Sequence, residues 1–164
     1  MLILAVTVAG CSKPSRDDKI QARDDTSFEL WLGKHSDVFT PAEIKEINTA
    51  RQQIRYKVMQ SRPGLMSAEF AIAVYAELDG RTVHELLRTS YALQIERMKI
   101  ELLNYKPQLE RFEAHQKNPS LDASQKTVVA ESLEKIHRLM REHEEELARL
   151  NKRAAELEQP VSEK

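Results

Sequence analysis

Apolar residues recur along most of this chain at spacings of three and four, which is the period of an amphipathic α-helix. After residue 11 no run of β-branched residues is longer than three, and no Asn-Gly or Asp-Gly pair is flanked by alternating apolar residues. The chain also has only four glycines, few for a protein built from short strands and tight turns. The pattern therefore predicts an all-α fold, a helical bundle.

Helix starts are marked by three capping boxes of the form Thr-x-x-Glu, at Thr26, Thr40 and Thr82. In a capping box the threonine hydroxyl accepts a hydrogen bond from the backbone N–H three residues on, and the glutamate accepts one from the threonine N–H. These boxes predict helices over residues 27–35, 41–61 and from 83 onward, and a further helix over 68–78 ends at Asp79-Gly80. The expected inward faces of the first two helices carry Phe28, Trp31, Leu32, His35, Ile44, Ile47, Ile54 and Val58.

Two long heptad seams follow, separated by a break at residues 117–121 and restarted by Asp122 with Gln125 as a helix cap. Two heptad helices joined by a short turn favour a long antiparallel hairpin, coiled-coil-like, over residues 83–158. The same pattern permits the last helix to pair with a second molecule instead. The first seam is Ile95, Met98, Leu102, Tyr105, Leu109 and Phe112, and the second is Val129, Leu133, Ile136, Met140, His143, Leu147, Leu150, Ala154 and Leu157.

His143 is the one titratable residue on the second seam, where the other core layers take apolar side chains. Counting outward from the turn places it opposite Glu96 and Arg97. Our hypothesis is that His143 and Glu96 form a partly buried polar layer, which fixes helix register at some cost in stability. The alternative is a histidine that reaches solvent from the rim of the seam.

An apolar run opens the sequence and ends in Val8-Ala9-Gly10-Cys11, which resembles a bacterial lipoprotein signal peptide with its lipobox. The resemblance implies cleavage before Cys11, a lipid on that cysteine, and a location in the cell envelope, facing the periplasm from the outer membrane if the cell has two membranes. The alternative is an apolar N-terminus that packs into the core. The expected organisation is a signal peptide (1–10), a lipid anchor and polar linker (11–26), a helical domain (27–158) and a flexible tail (159–164).

Composition adds constraints on partners. The 164 residues carry 25 basic and 26 acidic side chains with both signs interspersed, so no basic surface for nucleic acid is expected. Cys11 is the only cysteine, which excludes a disulfide within the chain. The length suits one domain with a modest core.

Catalytic and cofactor motifs are not found. The stretch His143-Glu144-Glu145-Glu146-Leu147 begins like a zinc-protease helix, but leucine stands where the second histidine is needed. The four glycines form no phosphate-binding loop. We therefore predict no catalytic, cofactor-binding or metal-binding residues and no enzyme activity, while a metal cluster assembled by the fold from the scattered histidines stays open.

Three resemblances bear on function. The segments Cys11-Ser12-Lys13-Pro14 and Gly80-Arg81-Thr82, followed by Glu85, resemble small uncharacterised bacterial lipoproteins that share a Gly-(Lys/Arg)-Thr-x-x-Glu helix element. The start Phe39-Thr40-Pro41-Ala42-Glu43 is similar to helix starts of small helical periplasmic chaperones and metal-resistance proteins. The ending on Lys164 resembles murein lipoprotein, which implies a covalent link to peptidoglycan.

The sequence thus favours a lipid-anchored interaction or structural protein of the cell envelope. Its expected partners are the membrane, through the lipid on Cys11, and a protein or a second copy held through the heptad faces. An envelope chaperone or ligand binder with an apolar groove is the first alternative. An enzyme is the second.

Overall fold

The computed structural model describes residues 13–159, and in this range the chain forms five α-helices and no strands. The all-α prediction is confirmed. The helices are α1 (Asp25–Lys34), α2 (Pro41–Ser61), α3 (Ser67–Leu78), α4 (Val83–Gln116) and α5 (Ala123–Glu158).

Three of the predicted helix starts have the expected capping boxes, at Thr40, Thr82 and Asp122. The start of α1 differs from the prediction, because Asp24 and not Thr26 is its N-cap. The Asp24 carboxylate accepts a hydrogen bond from the Ser27 N–H at 2.7 Å, and the Ser27 hydroxyl accepts one from the Asp24 N–H at 2.9 Å. An aspartate caps better than a threonine, and its charge also suits the positive end of the helix dipole.

The main core lies among α1, α2, α3 and the first half of α4, and we call this part of the molecule the base. The last turns of α5 also pack onto it through Leu157. Apart from Ile20, the largest fully buried apolar side chains in the base are Phe28, Ile47, Ile54, Val74, Leu78 and Leu86.

The segment predicted as a polar linker, 11–26, contributes to this core from residue 20 onward. Ile20 and Ala22 are only 1% and 0% exposed. The Ile20 N–H donates to the Arg81 carbonyl at 2.7 Å, and its carbonyl accepts from the Gly80 N–H at 2.9 Å. The linker prediction is therefore wrong over these residues, because a single apolar residue among charged ones carries no helical or strand periodicity.

Helix α5 turns back along α4. Arg88 lies 3.8 Å from Glu158 near the base, and Glu101 lies 3.1 Å from His143 further out. Beyond them, residues around the turn form a second apolar cluster of Leu109, Phe112, Leu121, Val129 and Leu133. From the base outward, the contacting residues have rising numbers on α4 and falling numbers on α5, so the two helices are antiparallel. We call the outer part, residues 97–143, the arm.

The arm is two helices thick, and this limits how far its seams are buried. The six predicted seam residues of α4, from Ile95 to Phe112, are all half-buried. On α5 only Val129, Leu133, Ile136 and Leu150 are fully buried. Pro107 lies within α4 on its exposed side, and the helix continues through it. The arm therefore keeps apolar surface that the base does not cover.

Candidate functional site

His143 lies where the arm meets the base and joins α5 to α4. Its Nδ1 lies 2.7 Å from the Leu139 carbonyl oxygen, and its Nε2 lies 3.1 Å from Oε2 of Glu101. The Tyr105 ring meets the imidazole edge-on, with ring centroids 5.4 Å apart. The side chains of His143 and Glu101 are 21% and 42% exposed, so this polar layer is open to solvent on one side.

The acidic partner predicted for His143 is wrong, because the structure pairs it with Glu101 and leaves Glu96 exposed. A helical side chain leans toward the N-terminus of its own helix. On α5 that direction leads to the tip of the arm, and the hydrogen bond to Leu139 holds the ring there. The ring consequently meets an α4 residue closer to the tip than counting along the backbone suggests.

We expect His143→Leu to raise the melting temperature by about 2–4 °C, because an apolar side chain in a half-buried seam avoids the desolvation of a polar pair. The same change should loosen the register, which would appear as a second set of amide resonances from the arm. His137→Leu, at an exposed position of α5, is the matched control and should change neither measurement. Unchanged melting and a single set of resonances in His143→Leu would contradict the hypothesis.

A groove runs between the end of α2 and α4 and has a volume of about 650 Å³. Tyr56, Met59, Leu93 and Ile100 supply its apolar part. Ile100 and Leu103 lie on the side of α4 that faces away from the α5 seam, and they are 51% and 58% exposed. The apolar surface of α4 that α2 covers in the base thus continues past the end of α2 without cover within the described chain.

A polar cluster fixes the arm to the base. The carboxylate of Glu46 in α2 accepts two hydrogen bonds from the Arg153 guanidinium of α5, at 3.0 and 2.8 Å, and one from the Tyr91 hydroxyl of α4, at 2.9 Å. The Glu46 hydrogen bond raises the pKa of Arg153. Burial, together with Glu46, raises the pKa of Tyr91. The cluster ties three helices together at the point where the arm leaves the base.

The predicted lipidation site, Cys11, lies outside the described residues, which begin at Lys13. Just after it, Arg16 pairs with Glu43 in the first turn of α2, with Nη2 and Oε2 3.1 Å apart. This hydrogen bond is the largest cause that lowers the pKa of Glu43 to about 2. The segment that leads to Cys11 is thus seated against the N-terminus of α2.

His35, predicted only as a residue of the α1 inner face, has a specific partner in this same segment. It is 6% exposed, and its Nε2 lies 3.0 Å from Oδ2 of Asp18. The ring also stacks on the Trp31 indole, with centroids 4.3 Å apart. Sequence reasoning missed Asp18, since nothing in the spacing of the two residues links them.

Within residues 13–159 no three His, Cys, Asp or Glu side chains come close enough to hold a metal ion. His84, His115 and His137 are exposed, and the structure does not bring them together with His35 or His143 into a metal-binding group. None of the helices in the described part of the chain combines a bilayer-spanning length with an apolar sequence. No family model, curated protein or solved structure matches this chain.

Proposed function

We propose that this chain is a lipid-anchored protein of the bacterial cell envelope whose arm engages a protein partner. The observation that carries the proposal is the apolar surface of the arm. Its α4 seam is half-buried, and Ile100 and Leu103 are more than half exposed on the opposite side of the same helix. Exposed apolar groups that follow one helix face suit a second helix packed against it.

The position of the N-terminal segment supports an anchor at the other end of the molecule. Arg16 is held at the start of α2, and α2 and α4 run in the same general direction, since Glu46 meets Tyr91 and Tyr56 meets Arg97 further along. At about 1.5 Å per residue, the part of α4 beyond Tyr91 spans roughly 40 Å. A lipid on Cys11 would leave the arm pointing away from the membrane.

The anchor is tested by the mass of the native protein extracted from its own membranes. We expect an N-terminal peptide that begins at Cys11 and carries acyl chains. Each methylene buried in the bilayer contributes about 0.8 kcal/mol, so several acyl chains together hold a protein on the membrane durably. Cys11→Ser should leave the protein out of the membrane fraction, while Ser12→Ala should not. An unprocessed, lipid-free Met1 would contradict the anchor.

The partner is tested in the same membranes with a photo-crosslinking amino acid in place of Leu103. We expect one discrete adduct, whereas a crosslinker in place of the exposed Leu30 on the base should give none. In the mass measurement of the native protein, a muropeptide attached to Lys164 would instead assign a structural role at the cell wall. Absence of any adduct at Leu103 would contradict an interaction through the arm.

The groove between α2 and α4 favours an envelope chaperone or ligand binder as the second candidate function. Its apolar side chains Tyr56 and Met59 are about half exposed, at 49% and 52%. A chaperone should suppress aggregation of an unfolded client, and Met59→Asp should abolish that effect. No suppression by the unaltered protein would exclude this candidate.

A further inference from the structure

The side of α5 that faces away from α4 carries a continuous stripe of charged residues. Its members follow one another at spacings of three and four, so they line one helix face, opposite the buried Leu133, Ile136 and Leu150. Two of them are adjacent at its centre, and all are exposed. We call this set the outer stripe: Glu131, Glu134, Arg138, Arg141, Glu142, Glu145, Arg149 and Lys152.

The charges of the outer stripe are arranged symmetrically, with opposite sign, about the peptide bond between Arg141 and Glu142. A charge on one side of this centre has the opposite charge at the same distance on the other side. The four mirror pairs are Arg141 with Glu142, Arg138 with Glu145, Glu134 with Arg149, and Glu131 with Lys152. Across the whole range 125–158 no mirror pair combines two charges of the same sign. The face is therefore complementary to an antiparallel copy of itself.

Contacts within one chain make little use of this complementarity. In the described part of the chain, two ion pairs involve the outer stripe: Arg138 lies 4.0 Å from Glu142, and Arg149 lies 2.6 Å from Glu146. Neither is a mirror pair. Mirror partners such as Arg138 and Glu145 are seven residues apart on one straight helix, which separates their backbones by about 10 Å, and the outer pairs are further apart. Beyond the central pair, they meet only across two molecules.

We propose that the outer stripe is a self-association surface, on which a second copy of this chain packs its own α5 antiparallel. The two-fold axis passes between Arg141 and Glu142. Because a two-fold axis repeats every contact, the four mirror pairs give eight ion pairs between the copies. They are distributed over roughly 30 Å of helix, at about 1.5 Å per residue. A parallel copy in register would instead place each charge against itself, so the charges select the antiparallel arrangement.

The outer stripe contains no apolar residue, so charge governs this association. An exposed ion pair is individually weak and is screened by salt. The structure therefore favours a reversible dimer that forms at low ionic strength and dissociates at high ionic strength. The outer stripe lies on α5, whereas the partner surface of the proposed function lies on α4 at Ile100 and Leu103. Self-association through α5 thus requires neither that surface nor a lipid on Cys11.

The test uses the full chain with Cys11→Ser, so that neither a lipid nor an intermolecular disulfide contributes. Sedimentation velocity over a concentration series measures the dissociation constant of the dimer. We expect a dimer in about 0.1 M salt. The dissociation constant should rise about tenfold or more in 1 M salt, because the Debye length falls from about 10 Å to about 3 Å. A monomer at every concentration in 0.1 M salt would overturn the proposal.

Two charge reversals identify the surface and the arrangement. Arg138→Glu alone and Glu145→Arg alone each create two like-charge contacts in the dimer, and each should raise the dissociation constant about tenfold or more. An equimolar mixture of these two variants should form a heterodimer with the original affinity, because each altered position then faces an opposite charge in the other copy. This recovery requires two molecules, so a change in folding of either variant does not imitate it.

Glu144→Arg is the matched control for Glu145→Arg. It makes the same charge change at the exposed neighbouring residue, which lies outside the outer stripe and opposite the uncharged Leu139 in the mirror arrangement. This variant should dimerise as the unaltered chain does. A mixture of Arg138→Glu and Glu145→Arg that stays monomeric would overturn the antiparallel pairing. So would a Glu144→Arg variant that weakens the dimer as much as Glu145→Arg.

Discussion

Ile20→Ala is expected to lower the free energy of unfolding by about 2–4 kcal/mol, although the sequence pattern places this residue in a linker. The side chain is 1% exposed and belongs to the main core with Phe28 and Leu78. Removing three carbon atoms loses their transfer free energy and leaves a cavity, which a close-packed base fills only in part. Urea denaturation followed by circular dichroism measures this loss.

Gln21→Ala is the matched control for this change, because it alters the exposed neighbouring residue in the same segment. Its effect should stay within about 0.5 kcal/mol, as for other exposed positions. If Ile20→Ala were as mild as Gln21→Ala, the N-terminal segment would not be part of the folded unit.

Leu133→Ala should weaken the arm by about 2–3 kcal/mol and leave the base intact. Leu133 is 7% exposed and packs in the outer apolar cluster with Leu121 and Val129, which is separate from the core of the base. The loss lies toward the lower end of the range for leucine, because a cluster between only two helices relaxes easily around the cavity. Amide hydrogen exchange should report it as protection about 30- to 150-fold lower near the tip.

Glu134→Ala, at the exposed neighbouring position, is the control and should leave exchange near the tip unchanged. Protection of α2 and α3 should be the same in both variants and in the unaltered protein. A uniform loss of protection across all helices in Leu133→Ala would show instead that arm and base unfold as one unit.

The local elements of this fold were largely predictable because their causes are local. The capping boxes at Thr40 and Thr82 place helix starts through hydrogen bonds between residues three apart. Helix α3 ends at Leu78, and Gly80 just after it has a left-handed backbone with φ of 76°. The pair Asp79-Gly80 predicts this helix end. Helix α1 is capped by Asp24 and not by Thr26. Both residue types are good N-caps, and their spacing in the sequence does not decide between them.

The seams of the arm were predicted, but the partners across them were not. A heptad pattern gives the face on which His143 lies and says little about the direction in which its ring points. The His143 ring leans toward the N-terminus of α5 and contacts the Leu139 carbonyl oxygen. Because of this direction, its carboxylate partner on α4 is Glu101 and not Glu96. A shift of five residues along α4 in such a contact is set by side-chain direction and by packing at the tip.

By itself, the sequence of this protein determined the all-α class, the two long seams and most helix boundaries, since these depend on periodicity and on hydrogen bonds within a few residues. Only the tertiary structure decided that Ile20 belongs to the core, that Glu46 joins three helices, and that Asp18 meets His35. The physical reason is that each of these contacts joins segments distant in sequence, and their proximity exists only after the helices have packed.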